Sequence, residues 1–148
     1  MRTNIREAKP EEAIIVSKFM KQFEAETAFV KVDPDHAGKL YEKMIRNGTG
    51  HMFILETDEG EMVGGLGCVV GPDLHYPRVI AVETYWFVSP DYRGAGLMLL
   101  AFFEKWAKEN NCDAVAMVHL LDSMPTKLKK LYERRGYVLI ENHYLKEV

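Results

Sequence analysis

The 148 residues make room for one domain, 1–148, and little more. Hydrophobic residues at 47% and charged residues at 28% exclude a disordered chain, and a core of this size buries roughly two thirds of the unfolded surface without a disulfide or metal staple. Nineteen Lys+Arg against 22 Asp+Glu give a formal net charge of -3, which argues against nucleic acid as a partner, because phosphate binding shows as a basic excess.

The opening MRTNIREAKPEEA carries charges at once and has no apolar core, so no secretory signal is expected. Residues 3–7 alternate weakly and predict a first strand. Pro10, with Glu11 and Glu12 beside it, opens a helix whose apolar face holds Ile14, Ile15, Phe19 and Phe23. A second helix follows Asp33-Pro34-Asp35, carries Leu40, Tyr41, Met44 and Ile45, and ends at Asn47-Gly48. HMFILET (51–57) and MVGGLGCVV (62–70) flank the turn Asp58-Glu59-Gly60 and predict an antiparallel hairpin. Gly64, Gly65 and Gly67 point to a bulge or a close backbone approach within it.

A loop with Pro72 and Pro77 leads to a strand over 79–88, broken by Ser89-Pro90-Asp91-Tyr92-Arg93-Gly94. A helix over 95–110 then presents Leu99, Phe102, Phe103 and Trp106 as an apolar stripe. AVAMVHL (114–120) reads as a short strand. Asp122 or Ser123 with Pro125 starts a last helix running through Leu128, Leu131 and Tyr132 to Gly136, and 137–148 read as two closing strands. This order implies an α/β (α+β) sandwich: a mixed, mainly antiparallel sheet flanked by helices. No stretch approaches the roughly 18 apolar residues of a membrane span. Cys68 and Cys112 form no CxxC pair and read as thiols of a reducing compartment, so a cytoplasmic protein without a membrane segment is expected.

The segment Val88-Ser89-Pro90-Asp91-Tyr92-Arg93-Gly94-Ala95-Gly96-Leu97 is the richest in chemistry. A strand ends, glycines strip side chains from a tight turn, and a long helix begins at once. That arrangement gathers unpaired backbone N–H groups with a helix dipole behind them, and phosphate is the guest it suits. Arg93 adds a planar, permanently charged fork. A plain strand-to-helix connection whose glycines only make the turn is the competing reading. The segment is not a nucleotide-hydrolase phosphate loop, since no Gly-Lys-Ser/Thr follows, and its spacing differs from the dinucleotide fingerprint.

Val88, Pro90, Tyr92, Arg93, Gly94 and Gly96 resemble the signature of the GNAT superfamily of acetyl-coenzyme A-dependent N-acetyltransferases, Arg/Gln-x-x-Gly-x-Gly/Ala after the fourth strand. Leu131-Tyr132-Glu133-Arg134-Arg135-Gly136-Tyr137 is similar to the family's late Tyr-x-x-x-Gly-Phe/Tyr element, and the wording WFVSPDYRG with KLYERRGY is similar to small bacterial and phage-encoded members. Met98 departs from the pattern, standing where the family has Gly or Ala. The resemblance implies a GNAT-like fold with a splayed central strand pair, 83–88 parting from 114–119. It implies acetyl-coenzyme A as cosubstrate, its pantetheine arm along Phe87 and Val88 and its diphosphate on Arg93, Gly94, Ala95, Gly96 and Leu97.

The implied reaction is direct acetyl transfer to a primary amine, of a small molecule or a protein, in a ternary complex. Transfer needs a neutral amine and a proton for the departing thiolate. Tyr132 matches the family position for the proton donor; a helix residue with a wet hydroxyl is its structural alternative. For the base, Glu83 stands first, working through water, His119 second, and a water chain alone third. The acceptor is expected between the first two helices, the 71–78 loop and the closing strands, with Phe23, Phe29, Tyr41 and His75 as candidate lining. The histidines show no HxxxH or HExxH spacing, so no metal is expected. Lys127, Lys129, Lys130, Arg134 and Arg135 read as a solvated helix face or as partners of the 3′-phosphate of coenzyme A. A homodimer is compatible with the family. The competing function is an acyl-coenzyme A-binding or partner-binding protein on the same fold without efficient catalysis.

Overall fold

Five strands, β1 (Thr3–Glu7), β2 (Gly50–Thr57), β3 (Met62–Pro72), β4 (Val79–Val88) and β5 (Ala114–Ala116), lie side by side in chain order. The first three junctions are antiparallel; β4 and β5 run parallel. The structure is a computed structural model that describes residues 2–28, 30–119 and 124–148. It divides into two units, Met1–Val118 and His119–Val148.

In the first unit, helices cover both faces of the sheet. Phe53 and Leu55 of β2 join Leu66, Cys68 and Ala81 under Leu99, Phe103 and Ala107 of α3 (Gly96–Glu109). The alternate residues Met52 and Ile54 join Tyr85 under Ala13, Val16 and Met20 of α1 (Ala13–Met20) and Tyr41 of α2 (Pro34–Asn47). Covered on both sides, β2 reads as a nearly continuous apolar run rather than an alternating one. Asp33 caps α2 by accepting from the N–H groups of Asp35 and His36, each at 3.1 Å. Gly48 closes α2 at φ 79, a left-handed conformation that glycine adopts without strain.

The expected bulge lies between β3 and β4. Gly67 pairs with Tyr85 but Cys68 pairs with Glu83, so the register steps over Thr84. The Tyr85 ring lies on the β3 backbone at this point: a Cβ at Gly67 would sit 2.2 Å from Tyr85 Cε1. Tyr85 is itself 5% exposed and has nowhere to move.

Several elements differ from expectation. The first helix is an α-helix bracketed by two 3₁₀ segments, Pro10–Glu12 and Lys21–Glu26. The strand expected over 114–120 pairs only over Ala114–Ala116, and Leu120 falls outside the described residues. So do Asp122 and Ser123; the described helix α4 spans Pro125–Arg134. Residues 137–148 form no strand, and Val138, Leu139, Ile140, Tyr144 and Leu145 stand exposed. Apolar and aromatic residues supply propensity, but a strand also needs a neighbour to complete its ladder.

Gly67→Ala is expected to destabilise the protein by about 1–3 kcal/mol, the range for an overpacked core. The cost shrinks when the ring is removed as well. Urea melts of wild type, Gly67→Ala, Tyr85→Ala and the double variant measure both; strict additivity would contradict the close approach.

Candidate functional site

β4 loses its second neighbour partway along. Its parallel ladder with β5 comprises Ile80↔Ala114, Ala81↔Val115 and Val82↔Ala116, while β4 continues to Val88. On the other side it stays paired, through Gly65↔Phe87 and Gly64↔Val88. Among the described residues, the β4 edge over Glu83–Val88 that faces away from β3 meets no strand. The central strand pair is thus splayed in the first unit, as expected.

Glu83 sits where the strands part. It is 6% exposed, and its carboxyl accepts a hydrogen bond from the Val118 backbone N–H across the gap. Burial pushes the carboxyl from an ordinary 4.5 up to about 8, with the Val118 hydrogen bond pulling weakly the other way. Thr84, beside it at the bulge, shares a hydrogen bond with the Tyr41 hydroxyl, which burial raises to about 12. Among the described residues, the buried Tyr85 hydroxyl has no hydrogen-bond partner.

Downstream, Phe87 and Val88 are buried. The rings of Phe19 and Phe23 meet Phe87 edge-on at 5.6 and 5.3 Å. The chain then makes the 3₁₀ turn Pro90–Ala95, anchored by Ser89 N–H to the Val63 carbonyl and Tyr92 N–H to the Ser89 carbonyl, both at 2.8 Å. α3 starts immediately; Ala95 before it has no side chain able to cap, and the Gly96 N–H donates to the Arg93 carbonyl. A Cβ added to Gly94 would meet nothing within 4 Å, so the space above the turn is open. Leu97 and Met98 are half exposed, and Met98 does not pack into the buried face of α3. Arg93 reaches sideways: its Nη2 donates to Glu26 Oε1 at 2.5 Å.

The structure therefore brings Glu83, Phe87, Val88, Arg93, Gly94, Ala95, Gly96 and Leu97 onto one stretch of the first unit, from the splay to the start of α3. Tyr132 belongs to the second unit. It is buried on α4, with its ring centroid 6.4 Å from that of His119 and 5.4 Å from that of Tyr137. Of the acceptor-lining candidates, Phe23 and Tyr41 are buried in packing, His75 is on an exposed loop, and Phe29 falls outside the described residues. Lys127, Lys129, Lys130, Arg134 and Arg135 are all exposed.

Sequence reasoning missed Thr84, Tyr85 and Glu26. The glycines of β3 carried a signal for the first two; nothing in the sequence ties Glu26 to Arg93. Burial raises the Cys68 thiol to about 12, which leaves it protonated and unsuited to nucleophilic attack. Among the described residues, no group of three or more His, Cys, Asp or Glu is placed to hold a metal, and no helix is long and apolar enough to cross a membrane.

The family model for the acetyltransferase (GNAT) family matches residues 16–137. No curated protein sequence matches the chain. Among solved structures, a putative acetyl transferase from Pyrococcus furiosus is similar at 21% identity, with 99% of this chain and 100% of that one covered and a TM-score of 0.76. A ribosomal-protein-alanine N-acetyltransferase from Brucella melitensis is similar at 17% identity, with both chains covered in full (100%) and a TM-score of 0.75. AAC(6')-Iy, solved with a bisubstrate analogue of coenzyme A, is similar at 18% identity, covering 100% of this chain and 99% of that one, with a TM-score of 0.74. These likenesses concern the fold, a mixed sheet of the GNAT type. The glycine turn after β4 sits within the matched span, and on that match this protein belongs to the acetyltransferase (GNAT) family, an acetyl-coenzyme A-dependent acetyltransferase.

Proposed function

We propose that the protein moves the acetyl group of acetyl-coenzyme A directly to a primary amine, on a small molecule or a protein, within a ternary complex. The observation that carries this reading is the turn Pro90–Ala95 running straight into the N-terminus of α3, with open space above Gly94. Amides in that position suit an anion, and a side chain at Gly94 would project into the space an anion needs. The residues present therefore fit the diphosphate of the cosubstrate. Arg93, Gly94, Ala95, Gly96 and Leu97 are assigned to hold it, and the strandless edge at Phe87 and Val88 to hydrogen-bond the amide-bearing arm.

Acetyl-coenzyme A supplies a thioester carbonyl; the chain supplies proton handling. Glu83 is assigned as the base, through water. With its pKa near 8, it is far better matched to an ammonium than an ordinary carboxylate is. Tyr132 is assigned as the group that hands a proton to the leaving thiolate, since a phenol stays protonated at neutral pH. The acceptor is assigned to the side bounded by α1, α2 and the 71–78 loop. The family match from 16 to 137 runs through both units, which supports one acetyltransferase domain. Two free cysteines support a cytoplasmic setting.

Thiol release from acetyl-coenzyme A with a panel of amines tests the reading. Tight coenzyme A binding with no turnover on any amine would favour a binding protein instead. Gly94→Asp is expected to abolish coenzyme A binding in calorimetry, because a carboxylate would enter the open space above the turn that is assigned to the diphosphate; unchanged affinity in a folded variant would remove that assignment. Tyr132→Phe should lower kcat about 100-fold or more with little change in coenzyme A affinity. Wild-type turnover would end its role as acid.

Glu83 makes two opposite pH predictions. As a base it must be ionised, so kcat/KM should rise through about pH 8 and fall away below it, and Glu83→Gln should remove that limb. For stability, the folded carboxyl holds its proton between about 4.5 and 8 while the unfolded one does not. Stability therefore falls as pH rises through that window, and Glu83→Gln should flatten the fall in thermal melts. A flat wild-type curve would contradict the buried carboxyl.

A further inference from the structure

Arg93, the one cation of the glycine turn, is held by a residue 67 positions away in sequence: Glu26, at the end of the 3₁₀ segment Lys21–Glu26. The same segment reaches β4 through Phe23, whose ring meets Phe87 edge-on at 5.3 Å. It is also tied off at its own base. Lys21 Nζ donates to the Val32 carbonyl at 2.9 Å and pairs with Glu24 at 3.0 Å, and Glu24 accepts from the Val32 N–H. The start of the connection between α1 and α2 is thus one braced piece. It touches the proposed cosubstrate site at two points, an aromatic contact and an ion pair.

The ion pair is not a core element. Arg93 and Glu26 side chains are 41% and 28% exposed, a setting in which an ion pair adds little to stability. Its chemistry is more telling than its strength. A turn built for an anion has its guanidinium covered by a carboxylate from the acceptor side.

We propose that Glu26 is an internal competitor for Arg93: the diphosphate of acetyl-coenzyme A displaces it, and the displacement loosens Lys21–Glu26. This rests on the assignment of the Arg93–Leu97 turn to the diphosphate. Phosphate oxygens carry more charge than one carboxylate and suit the guanidinium fork at least as well, so the exchange runs towards the cosubstrate. Once Glu26 is released, Phe23 on Phe87 is the remaining tether of the two. Glu26 acts through Arg93 and is a positioning residue.

Calorimetry of coenzyme A with the full chain decides it, using wild type, Glu26→Gln, Arg93→Gln and the double variant. Glu26→Gln is expected to bind about 2- to 5-fold tighter, the range one exposed ion pair supplies, and to have no effect when Arg93→Gln is present. Equal or weaker binding by Glu26→Gln would overturn the proposal, because Glu26 would then be a bystander or a support for Arg93. Hydrogen exchange gives a readout that a purely structural contact would not move. Amides of residues 21–28 should exchange faster when coenzyme A is added to wild type, and should already be fast in Glu26→Gln. Slower or unchanged exchange in wild type would also overturn it. Failure of wild type to bind coenzyme A at all would instead strike the diphosphate assignment, so the two failures are distinguishable.

Discussion

After Val82, β4 keeps β3 on one side and loses β5 on the other. A strand stripped of a neighbour in the interior of a sheet exposes backbone donors and acceptors that need partners. Here one side chain spans the parting: Glu83 accepts from the Val118 N–H on the departing segment. The same gap explains why that carboxyl is so weakly acidic. It is held inside by the fold rather than by a cationic partner, and burial is the larger influence on it. Geometry and acid–base character thus come from one feature.

The parting coincides with the register step at Gly67 and Thr84. A bulge adds a residue to one strand and turns the side chains beyond it. Glu83, Thr84 and Tyr85 occupy that step, and it needs Gly67 because Tyr85's ring takes the place of a side chain there. Downstream, β4 delivers the chain to the 3₁₀ turn Pro90–Ala95 with its N–H groups leading into α3. A single strand therefore carries the proposed base at its middle and the proposed anion cradle at its end.

Charge in this region is arranged in opposites. Glu83 is a carboxylate whose environment favours neutrality, while Arg93 is a permanent cation already met by Glu26. The first suits proton transfer near neutral pH; the second suits exchange of one anion for another. Both depend on segments far apart along the chain, β4 with Val118 and the α1–α2 connection with the glycine turn.

The amino-acid sequence by itself determined the helices and the first four strands, because their signals are local: Asp33 and Gly48 bracket α2, Gly60 turns the β2–β3 hairpin, and Pro90 with Gly94 and Gly96 ends β4 and starts α3. It also exposed the family signature, since that signature is written in consecutive residues. Tertiary structure alone decided the rest. The burial of Glu83, the Tyr85 ring over Gly67 and the Glu26–Arg93 pair arise from residues brought together across the chain. The strands expected over 137–148 failed for the same reason: a strand is a pairing between segments, and the pattern within one segment does not name its neighbour.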